Sequence, residues 1–281
     1  MGEMRRIGRR TWLARSGAGL VALWAGLDFG LGRQGWGVLL GRGPRVAGAQ
    51  AAPVDQSIPL RAEFEFPQGR FWWVQAYVLI RGREAAIVDT LIPGNANRVE
   101  QTLQAAGLDW GAVRHVILTH YHPDHQGSAD AIATRAAGAS IWAGEQDIPQ
   151  IQVARPVQPT HDGDEIFGLR VVETPGHTPG HISVFDAGSA TLYSGDAVFN
   201  DGAFQFQSGG LDILSSSEDM GQAVQSVRKL AALGCEQVLF GHGEPLPSGG
   251  AAALAALAAQ AQATPWRFGH RHLPCCVEGR L

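Results

Sequence analysis

The sequence predicts an α/β protein in which two β-sheets pack together and helices cover their outer faces. Short apolar stretches rich in β-branched and aromatic residues alternate with helical stretches over residues 71–142. The same alternation returns over residues 168–263. Because each group of strands must bury an apolar face, two sheets packed against each other and flanked by helices account for both halves.

The first half contains strands that lead into polar loops and helices that end near glycines. The predicted strands are residues 71–80, 85–89, 114–119 and 139–142, and the predicted helices are residues 95–106 and 129–137. In the first helix Val99 and Leu103 share one face, and Gly107 follows as a C-cap.

The second half repeats this organisation. The predicted strands are residues 168–173, 181–185, 191–193 and 237–240, and the predicted helices are residues 217–233 and 249–263. We expect Ser217 to cap the first of these helices, with the acids Glu218 and Asp219 in its first turn and Arg228-Lys229 near its end. The tail from Pro265 has no periodicity, so residues 264–281 are predicted to be irregular.

Residues 1–50 are predicted to be an export signal with its linker, ahead of a main domain at 58–263. The first ten residues contain four arginines, and an apolar stretch follows them. The Arg9–Leu13 segment (RRTWL) resembles a twin-arginine signal. Cleavage near Ala49 would release the protein to the periplasm or the exterior, with the twin-arginine machinery as a transient partner. An uncleaved membrane anchor is the alternative, but Asp28 interrupts its short apolar run.

The net charge and the cysteine positions indicate which partners and which ligands the protein is not expected to use. The net charge of −4 comes without any block of like charges, so we expect no nucleic-acid partner. Cys235, Cys275 and Cys276 stand at no metal-ligand spacing and are interpreted as structural or incidental. We therefore expect a small-molecule substrate, and the composition leaves the oligomeric state open.

A dense group of metal-competent side chains follows the strand at 114–119. His120, His122, Asp124 and His125 fall within six consecutive positions. Imidazole and carboxylate groups together suit zinc and similar divalent ions. Such a group seldom arises for structural reasons, so the sequence predicts a metal site here.

Three more candidate ligands follow later strands. They are His177 in a Thr-Pro-Gly-His-Thr-Pro-Gly-His segment, Asp196 in Ser-Gly-Asp and His242 in Gly-His-Gly. Taken alone, each of these motifs is more often an ordinary turn or loop. Together with the first group they become candidates for the same metal site.

This set of motifs resembles the metallo-β-lactamase superfamily, whose pattern is His-x-His-x-Asp-His, a distal His, a Gly-Asp and a late His. The match covers about residues 60–260. The resemblance implies an αβ/βα sandwich, with two mixed sheets, helices outside and two metals at one edge. It implies a first metal on His120, His122 and His177, a second on Asp124, His125 and His242, a bridging Asp196, and supporting roles for Asp89 and His181. His115 and His161 lie outside the motifs.

The resemblance also implies a reaction. Two divalent ions, with zinc expected and iron or manganese as alternatives, would share a hydroxide that attacks the substrate. Asp124 could also transfer a proton. Asp196 makes a true β-lactamase a poor match, so we expect a small ester, thioester or lactone. The segments around His177 and Asp196 resemble those of glyoxalase II, although Tyr121 stands where that family usually has His, Ser128 replaces a Gly, and no basic glutathione-binding segment is evident.

Two other functions stay open. A persulfide dioxygenase would use a single iron held by His120, His177 and Asp196, an arrangement typical of iron oxygenases. The complete second ligand set and the predicted export disfavour this alternative. A non-catalytic metal-binding protein is the other alternative, and the complete ligand set also disfavours it.

Overall fold

The described residues form four layers, which are two β-sheets packed face to face and helices on the outer face of each sheet. Three apolar clusters lie between these layers. The computed structural model describes residues 53–66, 70–200, 211–213 and 216–263. One cluster lies between the sheets, and each of the other two lies between a sheet and its helices. The order of layers is therefore helix, sheet, sheet, helix, which confirms the predicted sandwich.

The first sheet contains six strands in chain order. They are β1 (Gln56–Phe66), β2 (Arg70–Arg81), β3 (Glu84–Val88), β4 (Val113–Leu118), β5 (Ser140–Gly144) and β6 (Val157–Thr160). The sheet is mixed, because β1, β2 and β3 pair antiparallel whereas β3 to β6 pair parallel. Its helices are α1 (Ala96–Ala105), α2 (Pro123–Gln126) and α3 (Ala129–Arg135), with 3₁₀ turns at Trp110–Ala112 and Glu145–Gln150.

The second sheet contains five strands and is also mixed. Its strands are β7 (Glu165–Ile166), β8 (Leu169–Glu173), β9 (Ile182–Asp186), β10 (Thr191–Tyr193) and β13 (Gln237–Leu239), in the spatial order β13-β10-β9-β8-β7. A separate ladder pairs β11 (Phe199–Asn200) with β12 (Leu211–Asp212). The helices α4 (Met220–Ala231) and α5 (Gly250–Ala263) pack together over this sheet.

Strand β2 shows how one strand serves two layers. Successive side chains of a strand point to opposite faces. Val78 and Ile80 pack with the helices of the first sheet, whereas Tyr77 and Leu79 join the cluster between the sheets. All four are buried, so residues 76–80 of this strand form a continuous apolar run rather than an alternating one.

Most predicted elements agree with the structure to within two residues at each end, and the exceptions have physical causes. The prediction that Ser217 caps a helix is wrong: α4 begins at Met220, and the Asp219 side chain accepts the backbone N–H of Gln222 at 2.9 Å. Glu218 and Asp219 therefore precede the helix instead of forming its first turn. The sheet also begins earlier than the predicted domain start at residue 58, because β1 starts at Gln56.

Several predictions concern parts of the chain outside the described residues. The export signal at 1–50 and the tail at 264–281, including Cys275 and Cys276, belong to this group. Cys235 is described and is a buried free thiol. Among the helices of the described residues, none is long and apolar enough to cross a membrane.

Candidate metal centre

The candidate ligands follow the carboxyl ends of strands that run in the same direction. Strands β3 and β4 are parallel and are followed by Asp89 and His120, while β10 and β13 are parallel and are followed by Asp196 and His242. Strand β8, which leads to His177, is antiparallel to β9, as is β10. Strand ends that point the same way bring their loops to one edge of each sheet, where side chains can converge.

The structure brings all seven predicted ligands together in three overlapping groups. Within each group the candidate ligand atoms lie within 4.8 Å of one another. The groups are His120, His122 and His177; His120, His125 and Asp196; and Asp124, His125 and His242. The four loops that sequence analysis selected separately therefore meet at one place.

Asp196 lies between the two outer groups. Its Oδ1 is 3.3 Å from His125 Nε2, and its Oδ2 is 3.6 Å from His177 Nε2 and 3.3 Å from His242 Nε2. Asp124 Oδ2 lies 3.3 Å from the same His242 nitrogen. A carboxylate in this position can share its two oxygens between two ions.

Asp89 orients two of the histidines. Its carboxylate accepts the backbone N–H and the hydroxyl of Thr119, both at 2.8 Å, and it lies 2.8 Å from His125 Nδ1. Because a carboxylate only accepts hydrogen bonds, His125 Nδ1 carries a proton and Nε2 is the nitrogen that faces the site. Thr119 Oγ1, having donated to Asp89, can accept from His120 Nδ1 at 3.0 Å. The lone pair of His120 Nε2 therefore also faces the site.

Strand β2 of the facing sheet orients His242. The Nδ1–H of His242 donates to the Trp73 carbonyl at 2.6 Å, so its Nε2 is the nitrogen left to bind a metal once that nitrogen loses its proton. Gln75 holds both neighbours of this histidine, donating its backbone N–H to the Gly241 carbonyl at 2.8 Å and its side-chain amide to the Gly243 carbonyl at 2.5 Å. Gln75 is buried and was missed by sequence analysis.

The donor atoms of the first group fit a cation. His122 Nδ1 lies 2.9 Å from His120 Nε2 and 2.9 Å from His177 Nε2. A proton on His122 Nδ1 could satisfy one of these two contacts, which leaves lone pairs facing each other in a buried site. A divalent ion accepts all three lone pairs at once, and neutral imidazole is its commonest ligand.

The two outer groups differ in their charge when no metal is bound. Burial lowers the pKa values of His120 and His177 well below 6.5, so both rings are neutral. Burial also opposes charge on His242, but the neighbouring carboxylates raise its pKa to about 9. Burial would raise the pKa of Asp124, yet the charge on His125 and a hydrogen bond from His242 lower it to about 2. The second group is therefore a set of ion pairs that a metal would replace.

Two glycines of the ligand motifs are required by close contacts. Gly195 has a φ of +53°, and a Cβ there would lie 2.8 Å from the side chain of Thr119 and 2.8 Å from His181 Nε2. A Cβ on Gly241 would overlap the Asp196 carboxylate. The Gly-Asp and Gly-His pairs thus reflect backbone that must pass directly beside the ligands.

His181 holds Asp196 through the backbone. Its Nε2 accepts the Asp196 N–H at 3.0 Å, and its Nδ1 lies 2.8 Å from Thr174 Oγ1. Burial lowers the pKa of His181 to about 3, so this ring is neutral. His115 and His161 lie away from the centre: His115 accepts from the Trp142 indole at 3.1 Å, and His161 is exposed in a turn.

Asp147 joins the two loops that carry the first group, and sequence analysis missed it. This fully buried carboxylate accepts the Thr178 hydroxyl and the Gly180 N–H, both at 2.6 Å, and the Tyr121 N–H at 3.3 Å. A Cβ on Gly180 would overlap Asp147, so the contact is tight. A lone Asp in a 3₁₀ turn gives no sequence signal for such a role.

Comparison with known proteins identifies the family. Residues 70–242 match the model of the metallo-beta-lactamase superfamily, which is more than half of the chain. The chain belongs to the metallo-β-lactamase superfamily. Membership implies divalent metals at the His and Asp cluster described above.

The curated relatives include hydrolases. The chain is 34% identical over 167 residues to the hydroxyacylglutathione hydrolase of Alkalilimnicola ehrlichii, covering 57% of each protein. It is 30% identical over 146 residues to the uncharacterized protein YobT of Bacillus subtilis, covering 44% of this chain and 61% of that protein. The chain therefore spans less than two thirds of the length of these relatives.

Solved structures share the fold at low sequence identity. A metallo-beta-lactamase family protein of Thermus thermophilus is 24% identical, with a TM-score of 0.57 over 74% of this chain and 79% of that one. A metallo-beta-lactamase of Pontibacter korlensis is 16% identical, with a TM-score of 0.61 over 75% and 96%. At these identities the likeness concerns the fold alone.

Proposed function

We propose that this protein is a metal-dependent hydrolase that uses two divalent ions to cleave a small ester, thioester or lactone. The observation that carries the proposal is the pair of three-residue ligand groups with Asp196 between them. The first group would hold one ion, the second group the other, and Asp196 would contact both. Its membership of a family that includes hydrolases supports the same conclusion.

The ligands and their partners define what the chain contributes to the reaction. When bound, a pair of divalent ions lowers the pKa of a shared water and polarises the bond that is cleaved. Asp89 and His181 keep the ligands oriented, which fixes the site before substrate arrives. Asp124 is the half-buried acid of the centre, with its side chain 17% exposed, so we assign it proton transfer to and from the leaving group.

The substrate class rests on the relatives and on two departures from them. Hydroxyacylglutathione hydrolases are named for a thioester substrate, which favours acyl transfer to water. Ser128 is one departure from glyoxalase II. Its hydroxyl hydrogen-bonds to backbone groups, because it donates to the Ile92 carbonyl and accepts the Asn95 N–H. Tyr121, the other departure, lies beside the ligands. We therefore propose an acyl substrate without assuming glutathione.

The decisive experiment measures metal content together with turnover. We expect about two metal ions per chain after gentle purification, and hydrolysis of at least one member of a panel of esters, thioesters and lactones. His122→Ala should abolish turnover, whereas His161→Ala, at an exposed turn, should not change it. A single iron per chain with oxygen uptake on a persulfide would contradict the proposal and support the dioxygenase alternative.

Zinc as the resident metal, and export through the twin-arginine route, are separate proposals. Elemental analysis of protein expressed without metal supplementation tests the first. Mass analysis of the mature N-terminus tests the second, and we expect the chain to begin near Gln50. An intact Met1 would contradict export with cleavage.

A further inference from the structure

We propose that Glu218, held in place by Tyr121, makes this site favour neutral or cationic acyl substrates over anionic ones. This inference rests on the proposed hydrolase function and names the substrate class for the same site. It concerns two residues outside the ligand set.

Tyr121 connects Glu218 to the ligand His122. The Tyr121 ring packs against the His122 ring with centroids 4.9 Å apart. Its hydroxyl donates to Glu218 Oε1 at 2.6 Å, a short bond of the charge-assisted kind. The carboxylate therefore lies one aromatic side chain away from the first ligand group.

The backbone ties Glu218 to the other loop of the same group. Its N–H donates to the His177 carbonyl at 3.3 Å, and the N–H of Asp219 donates to the Gly176 carbonyl at 2.9 Å. A Cβ on Gly176 would overlap the backbone of Ala223, so the start of α4 packs directly on this loop. The position of Glu218 relative to the ligands is thus set by two loops and a helix.

The burial pattern places Glu218 on the solvent side of the ligands. His122 and His177 are buried, whereas Glu218 is exposed and Tyr121 is partly exposed. A substrate group that reaches the Tyr121 hydroxyl from solvent lies beside the carboxylate that this hydroxyl contacts. A glutamate side chain is anionic at neutral pH, so an anionic substrate group meets repulsion there.

The described residue next to Glu218 adds negative charge. Asp219 is acidic and exposed, and the first basic residues after it, Arg228 and Lys229, come only in the last turn of α4. Beyond His242, Arg61 stacks on the Trp73 ring at 3.8 Å, but Glu63 and Glu244 lie within 3.6 Å of its guanidinium and offset its charge.

The test compares three matched 4-nitrophenyl esters whose acyl chains end in a methyl, a carboxylate or a trimethylammonium group. The metal-loaded full chain is assayed as wild type, Glu218→Gln, Glu218→Lys and Glu236→Gln. Glu236 is an exposed glutamate before β13, at the opposite end of that strand from His242, so its variant matches the charge change away from the site. The measured quantity is kcat/KM for the carboxylate ester divided by kcat/KM for the methyl ester.

We expect this ratio to rise about two- to fivefold in Glu218→Gln and further in Glu218→Lys, as for one charge acting through water over several ångströms. The gain should shrink at about 1 M salt, because screening then acts within about 3 Å. The ratio for the trimethylammonium ester should move the opposite way, and Glu236→Gln should match wild type. Tyr121→Phe, which releases the carboxylate, should give an intermediate ratio.

Binding provides a readout that does not depend on turnover. Amide analogues of the three esters are titrated by calorimetry, and their dissociation constants should show the same ordering. Equal ratios in wild type and both Glu218 variants, or a wild-type preference for the carboxylate ester, would overturn this inference while leaving the hydrolase proposal intact. If no ester, thioester or lactone is cleaved and no analogue binds, both proposals fail.

Discussion

Replacing Asp147 by alanine tests whether a buried carboxylate outside the ligand set holds the metal centre together. Asp147 accepts hydrogen bonds from the loop of His120 and His122 and from the loop that follows His177. Alanine removes the acceptor of the buried Thr178 hydroxyl and the buried Gly180 N–H, and it also removes the more distant contact with the Tyr121 N–H. The two loops would then lose their direct link.

The structure sets the size of the expected effect. The bonds from Thr178 and Gly180 are short, at 2.6 Å, whereas the bond from Tyr121 is long, at 3.3 Å. A buried polar group left unsatisfied costs about 1–3 kcal/mol, so the loss of the two short bonds predicts a decrease of about 2–6 kcal/mol in the free energy of unfolding. Mutating groups that support ligands typically weakens metal binding about 10- to 100-fold, and we expect that range for the first ion.

The assay separates folding from metal binding. Denaturant titration of the metal-free protein gives the free energy of unfolding, and competition with a chelator gives the metal dissociation constants. Asp147→Asn, which keeps the volume and one oxygen acceptor, should fall between wild type and Asp147→Ala. Asp130→Ala is the matched control, because Asp130 is exposed and accepts a single N–H from Ala154. Wild-type stability and metal affinity in Asp147→Ala would refute the reasoning.

Two further predictions concern the imidazoles. His181→Gln should weaken metal binding about 10- to 100-fold, because the Asp196 N–H loses its acceptor, whereas His161→Gln should match wild type in the same chelator competition. The pKa of His242 is raised to about 9 while that of His120 is well below 6.5, so the first ion should bind without releasing protons at pH 7 and the second should release them. The affinity for the second ion should therefore rise with pH up to about 9, whereas the affinity for the first ion should not change with pH above 7. Calorimetry in buffers of different ionisation enthalpy measures how many protons each binding step releases. Equal numbers of protons in both steps would contradict this prediction.

The fold was predictable wherever a strand or helix carried its own apolar signal. Strand β10 was predicted with its observed limits, because Thr191–Tyr193 contains strand-favouring residues and is bounded by turn residues. Strand β1 was missed although Leu60 and Ala62 are buried and Arg61 and Glu63 are exposed, which is the alternation of a half-buried strand. Pro59 and the interspersed charges obscured that pattern, and proline is tolerated there because β1 is an edge strand.

The start of α4 could not be predicted from its own residues. Ser217 and Asp219 are both favourable N-caps, so local propensity does not choose between them. The choice depends on the loop at His177, whose carbonyl groups accept the backbone N–H groups of Glu218 and Asp219. The helix therefore begins only at Met220. A contact across about forty residues of sequence thus decides a local boundary.

The candidate ligands could be selected from the sequence because their spacing is local, whereas the residues that orient them could not. His120, His122, Asp124 and His125 lie in one short segment, and the other three ligands follow apolar strands. Asp147 and Gln75 come from segments with no such pattern, and Gln75 reaches a carbonyl 168 residues away in the chain. Short motifs thus identify the candidate ligands, whereas the orientation of these side chains depends on residues that are distant in the sequence.

The same distinction explains why the motifs indicate a reaction class but do not select a substrate. The ligand motifs place metal-binding atoms, and those atoms are the same for esters, thioesters and lactones. Tyr121 occupies a variable position inside the first motif, and its partner Glu218 lies 97 residues later, before a helix that belongs to the other sheet. No single motif contains both residues, although their hydrogen bond places a charge beside the ligands. Substrate selection in this protein is therefore expected to respond to Glu218 while the ligand set and its metals stay unchanged.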